Sequence, residues 1–493
     1  MNWLVKALFL LFFLLSFSTA FAFDSSELLA QDTEHPTEKA ITTAEPGEHE
    51  DTSHGKEPAL WSVIPFIALL AMIATGPLFY AHFWHKNYPL IAAALAAIVI
   101  IYYIFLLHNT HQPIHAMAEY FSFIALIAAL FIASGGILIS IDKEGTPFAN
   151  IALLVFGALI ANIIGTTGAS MLLIRPFIRL NQHRIKAYHI IFFIFMVSNV
   201  GGCLTPIGDP PLFLGFLKGV PFFWTLEHIW PKWFFGIGLL SIIFYLFDKR
   251  NHATYYDPDL PRNHTGKIKI IGLRNVLFLA ITIGAVFLDP NILDWVPAMV
   301  VQGIEISFVR ELIMISAAAA AYYTADKVAL KGNDFNFEPI KEVGFLFIGI
   351  FGTMMPALQL IGNFAHSPAG SEIVNVHSLY WFTGTLSGVL DNAPTYLNFL
   401  AAGMGKEGLD IAVKEDVFIY SVEAIKELIA ISVAAVFFGA FTYIGNAPNF
   451  MVKSIAEQIG VRMPSFVGYI IRFSIPVLLP VLLLTWLVFF LLF

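Results

Sequence analysis

Apolar runs of about 20 residues recur along the chain between residues 60 and 490, separated by short polar stretches. That length lets an α-helix cross the hydrocarbon core of a bilayer. The strict alternation of a membrane barrel is absent. Ten spanning helices are predicted, at roughly 60–82, 88–107, 117–141, 189–217, 231–247, 274–289, 307–325, 342–362, 417–452 and 466–490. Two further apolar stretches, 148–180 and 378–402, are interrupted by polar residues near their middles and are read as re-entrant hairpins. The fold class is therefore an all-α polytopic membrane protein.

Composition agrees. Of 493 residues, 58% are hydrophobic and 13% charged, more apolar surface than a soluble domain of this length can hide. The single cysteine, Cys203, excludes an intrachain disulfide and a cysteine-ligated metal. Residues 1–22 have one lysine, an apolar run and a small-x-small ending at Ala20-Phe21-Ala22, the pattern of a cleavable secretory signal; an uncleaved first helix is the alternative. Residues 23–58 form an acidic tail. From residue 24 it carries ten Asp/Glu, two Lys and three His (His35, His49, His54), too few aliphatic groups to bury a core, so it is expected to be disordered and solvated.

Charge sets an orientation. With the tail outside, the loops 181–187 (Arg184, Lys186), 248–273 (Lys249, Arg250, Arg262, Lys267, Lys269) and 326–341 (Lys327, Lys331, Lys341) face the cytoplasm, while 108–116 and 290–306 have no Lys or Arg. This is the positive-inside pattern, and ten spans return the C-terminus to the outside. A bacterial inner membrane fits both ends.

Two segments repeat. "GCLTPIGDPPLF" (202–213) aligns without gaps on "GAFTYIGNAPNF" (439–450), with six identical positions and a seventh that pairs Asp209 with Asn446. Each copy follows one of the interrupted stretches. The repeats are placed at about 117–247 and 342–490, with breaks around 205–211 and 442–449. Five spans separate the motifs, so the second copy is expected to be inverted. Backbone that leaves the helix at membrane depth costs several kcal/mol per unpaired group by rough estimate unless it lines a cavity or holds a ligand. Paired, inverted breaks mark a transporter site near the midplane, where freed carbonyls can coordinate a small cation.

Carboxylates inside apolar spans are usually functional. Asp209 stands in the first break and Asp391 at the tip of the second hairpin, neither with a Lys or Arg nearby in sequence. A buried carboxylate of this kind can hold a proton or a small hard cation through its oxygens, which places Na⁺ and H⁺ in competition at one site. Neutral oxygens and turn glycines around the breaks complete the candidate ion- and proton-binding set: Thr205, Gly208, Asn162, Thr166, Thr167, Ser387, Asn392, Thr395, Thr442, Gly445, Asn446 and Asn449. The same residues would hold sodium. For most of them, helix capping and helix–helix hydrogen bonding are the competing role. Gly165 or Thr166 falls opposite Asp391 or Asn392 in the repeat.

Other polar residues are assigned structural roles. The stretch 420–430, with Glu423, Lys426 and Glu427, is read as an interfacial helix with a Glu423–Lys426 pair. Glu119, Arg310 and Glu311 lie near span ends and are expected to snorkel. His108, His111 and His115 belong to an outer loop, and Arg175 and Arg179 reach the cytoplasmic interface.

"SNVGGCLTPIGDPP" (198–211) resembles the broken-helix motif of the ion transporter superfamily, in its NhaD-type sodium/proton antiporter and CitMHS-like citrate transporter branches. "SGVLDNAPT" (387–395) is similar to their second hairpin tip, with Asp-Asn-x-Pro. The resemblance covers residues 60–490. It implies a scaffold part, a transport part carrying both hairpins and both broken helices, elevator-type movement and a homodimer in the bilayer. In the dicarboxylate symporters of that superfamily both tips carry Ser-Asn-Thr. Here the tips are "NIIGTTG" and "SGVLDNAPT", and Asp391 would repel a carboxylate. A sodium (or lithium)/proton antiporter is thus expected, with a sodium- or proton-coupled citrate or dicarboxylate symporter as the alternative. No Walker A or H-E-x-x-H motif occurs, so neither an ATP-driven pump nor an enzyme is expected, and no cofactor or nucleic-acid partner is called for.

Overall fold

A computed structural model describes residues 57–255, 266–290, 293, 295–301 and 304–492. The expected signal and nearly all of the acidic tail lie outside the described residues, as do parts of the loops 248–273 and 290–306.

Apolar periodicity yields helices throughout. Leu60–Phe79 enters as a 3₁₀ turn that continues into α1 (Ile64–Phe79); α2 (Ala81–Ile101) follows directly, and then α3 (His111–Gly135). The next helical segment, α4 (Pro147–Leu180), has non-helical backbone at Gly165, with φ 77° and ψ 155°. Only glycine adopts that conformation without a Cβ clash. The chain reverses there. Asn150 and Asn181 exchange amide hydrogen bonds at 2.8 Å in both directions. Thus 147–164 and 166–180 are the two limbs of a hairpin.

Then come α5 (Ala187–Met196), a 3₁₀ turn (Val200–Leu204), α6 (Pro210–Lys218) and α7 (Trp224–Tyr255). The second half begins after α8 (Leu273–Ala285), α9 (Val309–Tyr323) and α10 (Lys327–Gly332). It contains α11 (Glu338–His366), a short α12 (Pro368–Ile373), and the hairpin α13 (Val376–Ser387) and α14 (Asn392–Lys406). These lead to α15 (Lys414–Glu423), α16 (Ile425–Phe438), a 3₁₀ turn (Gly439–Phe441), α17 (Ala447–Gln458) and the long C-terminal segment α18 (Phe466–Leu491).

Several expected boundaries are corrected. The span 117–141 stops at Gly135, and Leu138–Ile141 instead forms strand β1, antiparallel to β2 (Ile268–Ile271). Among the described residues, eight helices are long and apolar enough to cross a membrane, or nine with one bent pair. One of the eight is the α4 hairpin. Two predicted spans, now α8 and α9, are only 13 and 15 residues long, below the length that bridges a bilayer core unaided. The region 417–452 is not a single axis: Lys414–Glu423 and Ile425–Phe441 meet at 100°. The stretch 420–430, expected as one interfacial helix, therefore breaks at Ala424. Its Glu427 pairs with Lys406 at 2.9 Å.

Packing separates two sets of helices. In one, α11 lies along α1, α2 and α3, and α3 also packs on α8 and α9. In the other, both hairpins gather around the broken helices: α4 against the first 3₁₀ turn, α7 and α17, and α13 and α14 against α16. The sets meet mainly where α3 touches α4 and α11 touches α14. Each hairpin thus backs onto the helix that precedes it in its own half.

Candidate functional site

The two broken helices share a backbone. Thr205 (φ −138°, ψ 156°) and Thr442 (φ −135°, ψ 172°) are both extended after the 3₁₀ turn. Asp209 (φ −144°, ψ 144°) and Asn446 (φ −152°, ψ 141°) both stand at the N-cap of the following helix. The hairpin tips meet them in matching ways: Thr166 N–H donates to Gly208 C=O at 2.8 Å, and Asn392 N–H to Gly445 C=O at 3.2 Å. This pairs Thr166 with Asn392, and Gly165 with Asp391, across the repeat. Glycine is required at the contact itself. A Cβ on Gly208 would lie 2.1 Å from the Gly202 carbonyl oxygen, and one on Gly445 2.6 Å from that of Gly439.

An aspartate or asparagine at an N-cap normally accepts hydrogen bonds from its own helix. Neither Asp209 nor Asn446 does so. At the first helix, Pro210 and Pro211 have no N–H to offer, while the backbone donors of Leu212 and Phe213 are taken by the Asp209 carbonyl. The Asp209 carboxylate is therefore free to serve other elements.

It serves three, and with its own helix four elements converge on it. Thr166 Oγ1 donates to Oδ1 at 2.7 Å from the first hairpin tip. Asn446 Nδ2 donates to Oδ1 at 2.9 Å from the second broken helix. Asn392 Nδ2 donates to Oδ2 at 2.7 Å from the second hairpin tip. Asp209 is 1% exposed. Hydrogen bonds to a charged group are worth roughly 1.5–3 kcal/mol each, so these three partly replace the hydration that Asp209 gives up. All three donors are neutral. A cavity of about 30 Å³ opens beside this carboxylate, lined by Thr166, Thr167 and Gly208 together with Leu130 and Phe131 of α3. That volume admits one or two water-sized bodies.

The remaining predicted residues sit around this centre without touching the carboxylate. Asn162 ties the first hairpin to the first break, donating to the Gly201 carbonyl at 2.7 Å and accepting from Leu204 N–H at 2.8 Å. Thr205 Oγ1 donates to the Asn162 carbonyl at 2.6 Å. Asn449 donates to the Gly439 and Thr442 carbonyls at 2.8 and 2.9 Å, and Thr442 Oγ1 accepts from Ile444 N–H. Ser387 Oγ donates to the Ala435 carbonyl and Thr395 Oγ1 to the Asp391 carbonyl. These hold the breaks in shape. Asp391 caps α14, accepting from Ala393 N–H at 3.0 Å.

Other buried polar residues escaped the sequence reading. Asn199 accepts from Asn446 at 3.2 Å and donates to Asn449 at 2.7 Å, extending the polar centre between the two breaks. Its signal was present in "SNVGG", directly before the repeated motif. Arg184, expected at a solvated loop, is buried against Asp248, which also accepts from Tyr188 and Asn150. His189 Nε2 stands 3.0 Å from the same carboxylate. This cluster fastens the open end of the first hairpin to α7. Glu119, Arg310 and Glu311 do not snorkel. Arg310 pairs with Asp289 at 2.9 Å and Glu311 at 2.8 Å, and Glu119 pairs with Lys218 at 3.0 Å. His111 and His115 belong to α3, not to a loop.

No curated protein matches this chain. A protein-family model does match, over residues 55–490, under the description "Putative citrate transport". That range contains both hairpins, both broken helices and the four elements around Asp209. The chain belongs to this CitMHS-like family of membrane transporters.

Proposed function

We propose that this transporter exchanges Na⁺ or Li⁺ for protons, with Asp209 as the group that carries one or the other. The observation that supports it most is the makeup of the centre: one fully buried carboxylate, neutral hydroxyl and amide partners, and a cavity of about 30 Å³ beside it. A cation entering there meets the Asp209 oxygens and the tip hydroxyls, hard ligands suited to a small hard ion. A proton on Asp209 removes the charge that attracts the cation. The two occupants thus exclude each other, which couples their fluxes. Alternating access follows when the set of helices carrying both hairpins moves against the set built on α3 and α11. Asp391 is a second carboxylate at the tip of the second hairpin, next to the Asn392 that donates to Asp209. We place the protein in a bacterial inner membrane, as a homodimer with the acidic tail and the C-terminus outside.

A sodium- or proton-coupled citrate carrier is the second reading, and the family description favours it. Against it, a tricarboxylate needs cationic partners. Neither Arg310, paired with Asp289 and Glu311, nor Arg175, 3.4 Å from Asp334, is among the residues that line the cavity. Energised everted vesicles from cells without their own sodium antiporters separate the readings. Collapse of the pH gradient on adding NaCl or LiCl is expected. A response to citrate alone would instead support the carboxylate carrier.

A further inference from the structure

The centre around Asp209 is not the only place where charge lies between the two sets of helices. Lys218 is the last residue of α6, the nine-residue helix whose N-cap is Asp209. At 1.5 Å per residue, α6 is a rod of about 13 Å with Asp209 at one end and Lys218 at the other. The lysine side chain crosses to α3, where its Nζ stands 3.0 Å from Glu119 Oε1. Both side chains are more than nine-tenths buried, at 8% and 9% exposure. His115 Nδ1, one turn earlier on α3, is 3.5 Å from the same oxygen.

Placement gives this pair its interest. One turn beyond Glu119, Ser122 bonds Glu311 and Arg310, which belong to α9 in the same set of helices. Glu119 instead reaches α6, which packs on α14 and α16 in the set that carries the hairpins. The wall of the cavity is also shared, with Leu126, Leu130 and Phe131 from α3 facing Asp209 and Phe213 from the broken helix. The Lys218–Glu119 pair therefore fixes how α6, and Asp209 with it, sits against α3. Desolvation offsets much of the attraction within a buried pair, so its effect is felt chiefly when one partner is lost. Separating the partners leaves each charge buried without its counterpart.

We propose that Lys218 and Glu119 are a positioning pair for transport: they hold α6 against α3 in one of the two access states and part in the other. This rests on the reading that the hairpin-bearing helices move against α3, but it does not depend on which solute they carry. Removing either partner lowers the cost of leaving the paired state and shifts the balance between the states.

The test uses the full-length protein with Cys203→Ala and a reporter cysteine at the cavity, Thr167→Cys. A membrane-impermeant maleimide is applied to right-side-out and to everted vesicles, and the ratio of the two labelling rates reports the access state. In Lys218→Gln and in Glu119→Gln the ratio shifts at least fivefold in the same direction. In the charge-swapped double variant, Glu119→Lys with Lys218→Glu, it returns to within twofold of the parent. In the Cys203→Ala background without the reporter, each single variant changes the maximal transport rate at least fivefold, with the half-saturating cation concentration within threefold. An unchanged labelling ratio in both single variants overturns the proposal. So does a swap that folds, by gel filtration in detergent, and does not restore the ratio. If the single variants and the swap all fail to fold, the pair is structural and the proposal is again wrong. Transport driven by citrate instead of sodium would overturn the cation reading yet leave the labelling outcome standing.

Discussion

The two broken helices are close to the same object built twice, and only one carries a charge at the break. Thr205 and Thr442, Gly208 and Gly445, and the hairpin contacts from Thr166 and Asn392 superpose in backbone role. At the position that matters chemically, Asp209 stands opposite Asn446, and Asn446 Nδ2 lies 2.9 Å from Asp209 Oδ1. The repeat thus brings its own two counterparts into contact at the centre. A second carboxylate there would repel the first in a low-dielectric site, whereas an amide can donate to it. The difference teaches that duplication supplies the frame and one substitution supplies the polarity: one half holds the charge, and the other half helps compensate it.

Moving the charge should have the largest effect. Asp209→Asn should abolish cation-coupled flux, at least 100-fold in vesicles, while the purified protein still elutes as a folded species. Combining it with Asn446→Asp puts the carboxylate on the other copy, and recovery of at least a tenth of the flux would mean the two frames are chemically interchangeable. No recovery would show that the surroundings of Asp209, not the carboxylate alone, define the site.

Next in size is the glycine contact. Gly208→Ala forces a Cβ to 2.1 Å from the Gly202 oxygen, and Gly445→Ala to 2.6 Å from the Gly439 oxygen. Both should lower thermal stability, the first more than the second, because backbone has to shift further to relieve the overlap. Equal melting temperatures for the two would contradict the asymmetry.

Smaller effects come from the tips. Asn392→Ala removes one hydrogen bond to the buried carboxylate, a loss of about 1.5–3 kcal/mol, and should raise the half-saturating Na⁺ concentration roughly ten- to a hundredfold at the conversion of 1.4 kcal/mol per decade. Thr166→Val, which also loses a donor to Asp209, should act in the same direction and range. A variant with unchanged sodium dependence would remove its tip from the site. The smallest stability change is expected for Asp391→Asn, since asparagine caps a helix about as well as aspartate. Its melting temperature should stay within about 1 °C, since for a chain of this size 1 kcal/mol moves the midpoint by roughly 1 °C. Its flux should fall less than that of Asp209→Asn; an equal or greater fall would make Asp391 the principal carrier.

Much of this was legible in the sequence. Helix-length apolar runs marked the spans, and the Gly-Pro-rich motif marked both breaks because proline and glycine cannot continue a helix quietly. The repeat also pointed to Asp209 and Asn446 as counterparts. The contact between them was not legible, because 237 residues separate them and only the folded frame brings them together. Arg184, Glu119 and Lys218 were misjudged or passed over for a related reason. A charge near a span end can be solvated or buried in a pair, and local sequence does not show the partner. Asp248 lies 64 residues beyond Arg184, and Lys218 lies 99 residues beyond Glu119. The 100° bend at Ala424 left no mark that distinguishes it from continuous helix, since Ala424 is itself a good helix former.

The most direct test of the central claim is proton release on cation binding. Purified protein in lightly buffered detergent solution, at starting pH values from 5 to 9, is titrated with NaCl, and the pH change is followed against a choline chloride control. Wild type is predicted to release protons in a saturable way with Na⁺ or Li⁺, and Asp209→Asn to release none. Equal release from both proteins, or none from wild type at any starting pH between 5 and 9, would contradict the account that Asp209 exchanges one for the other.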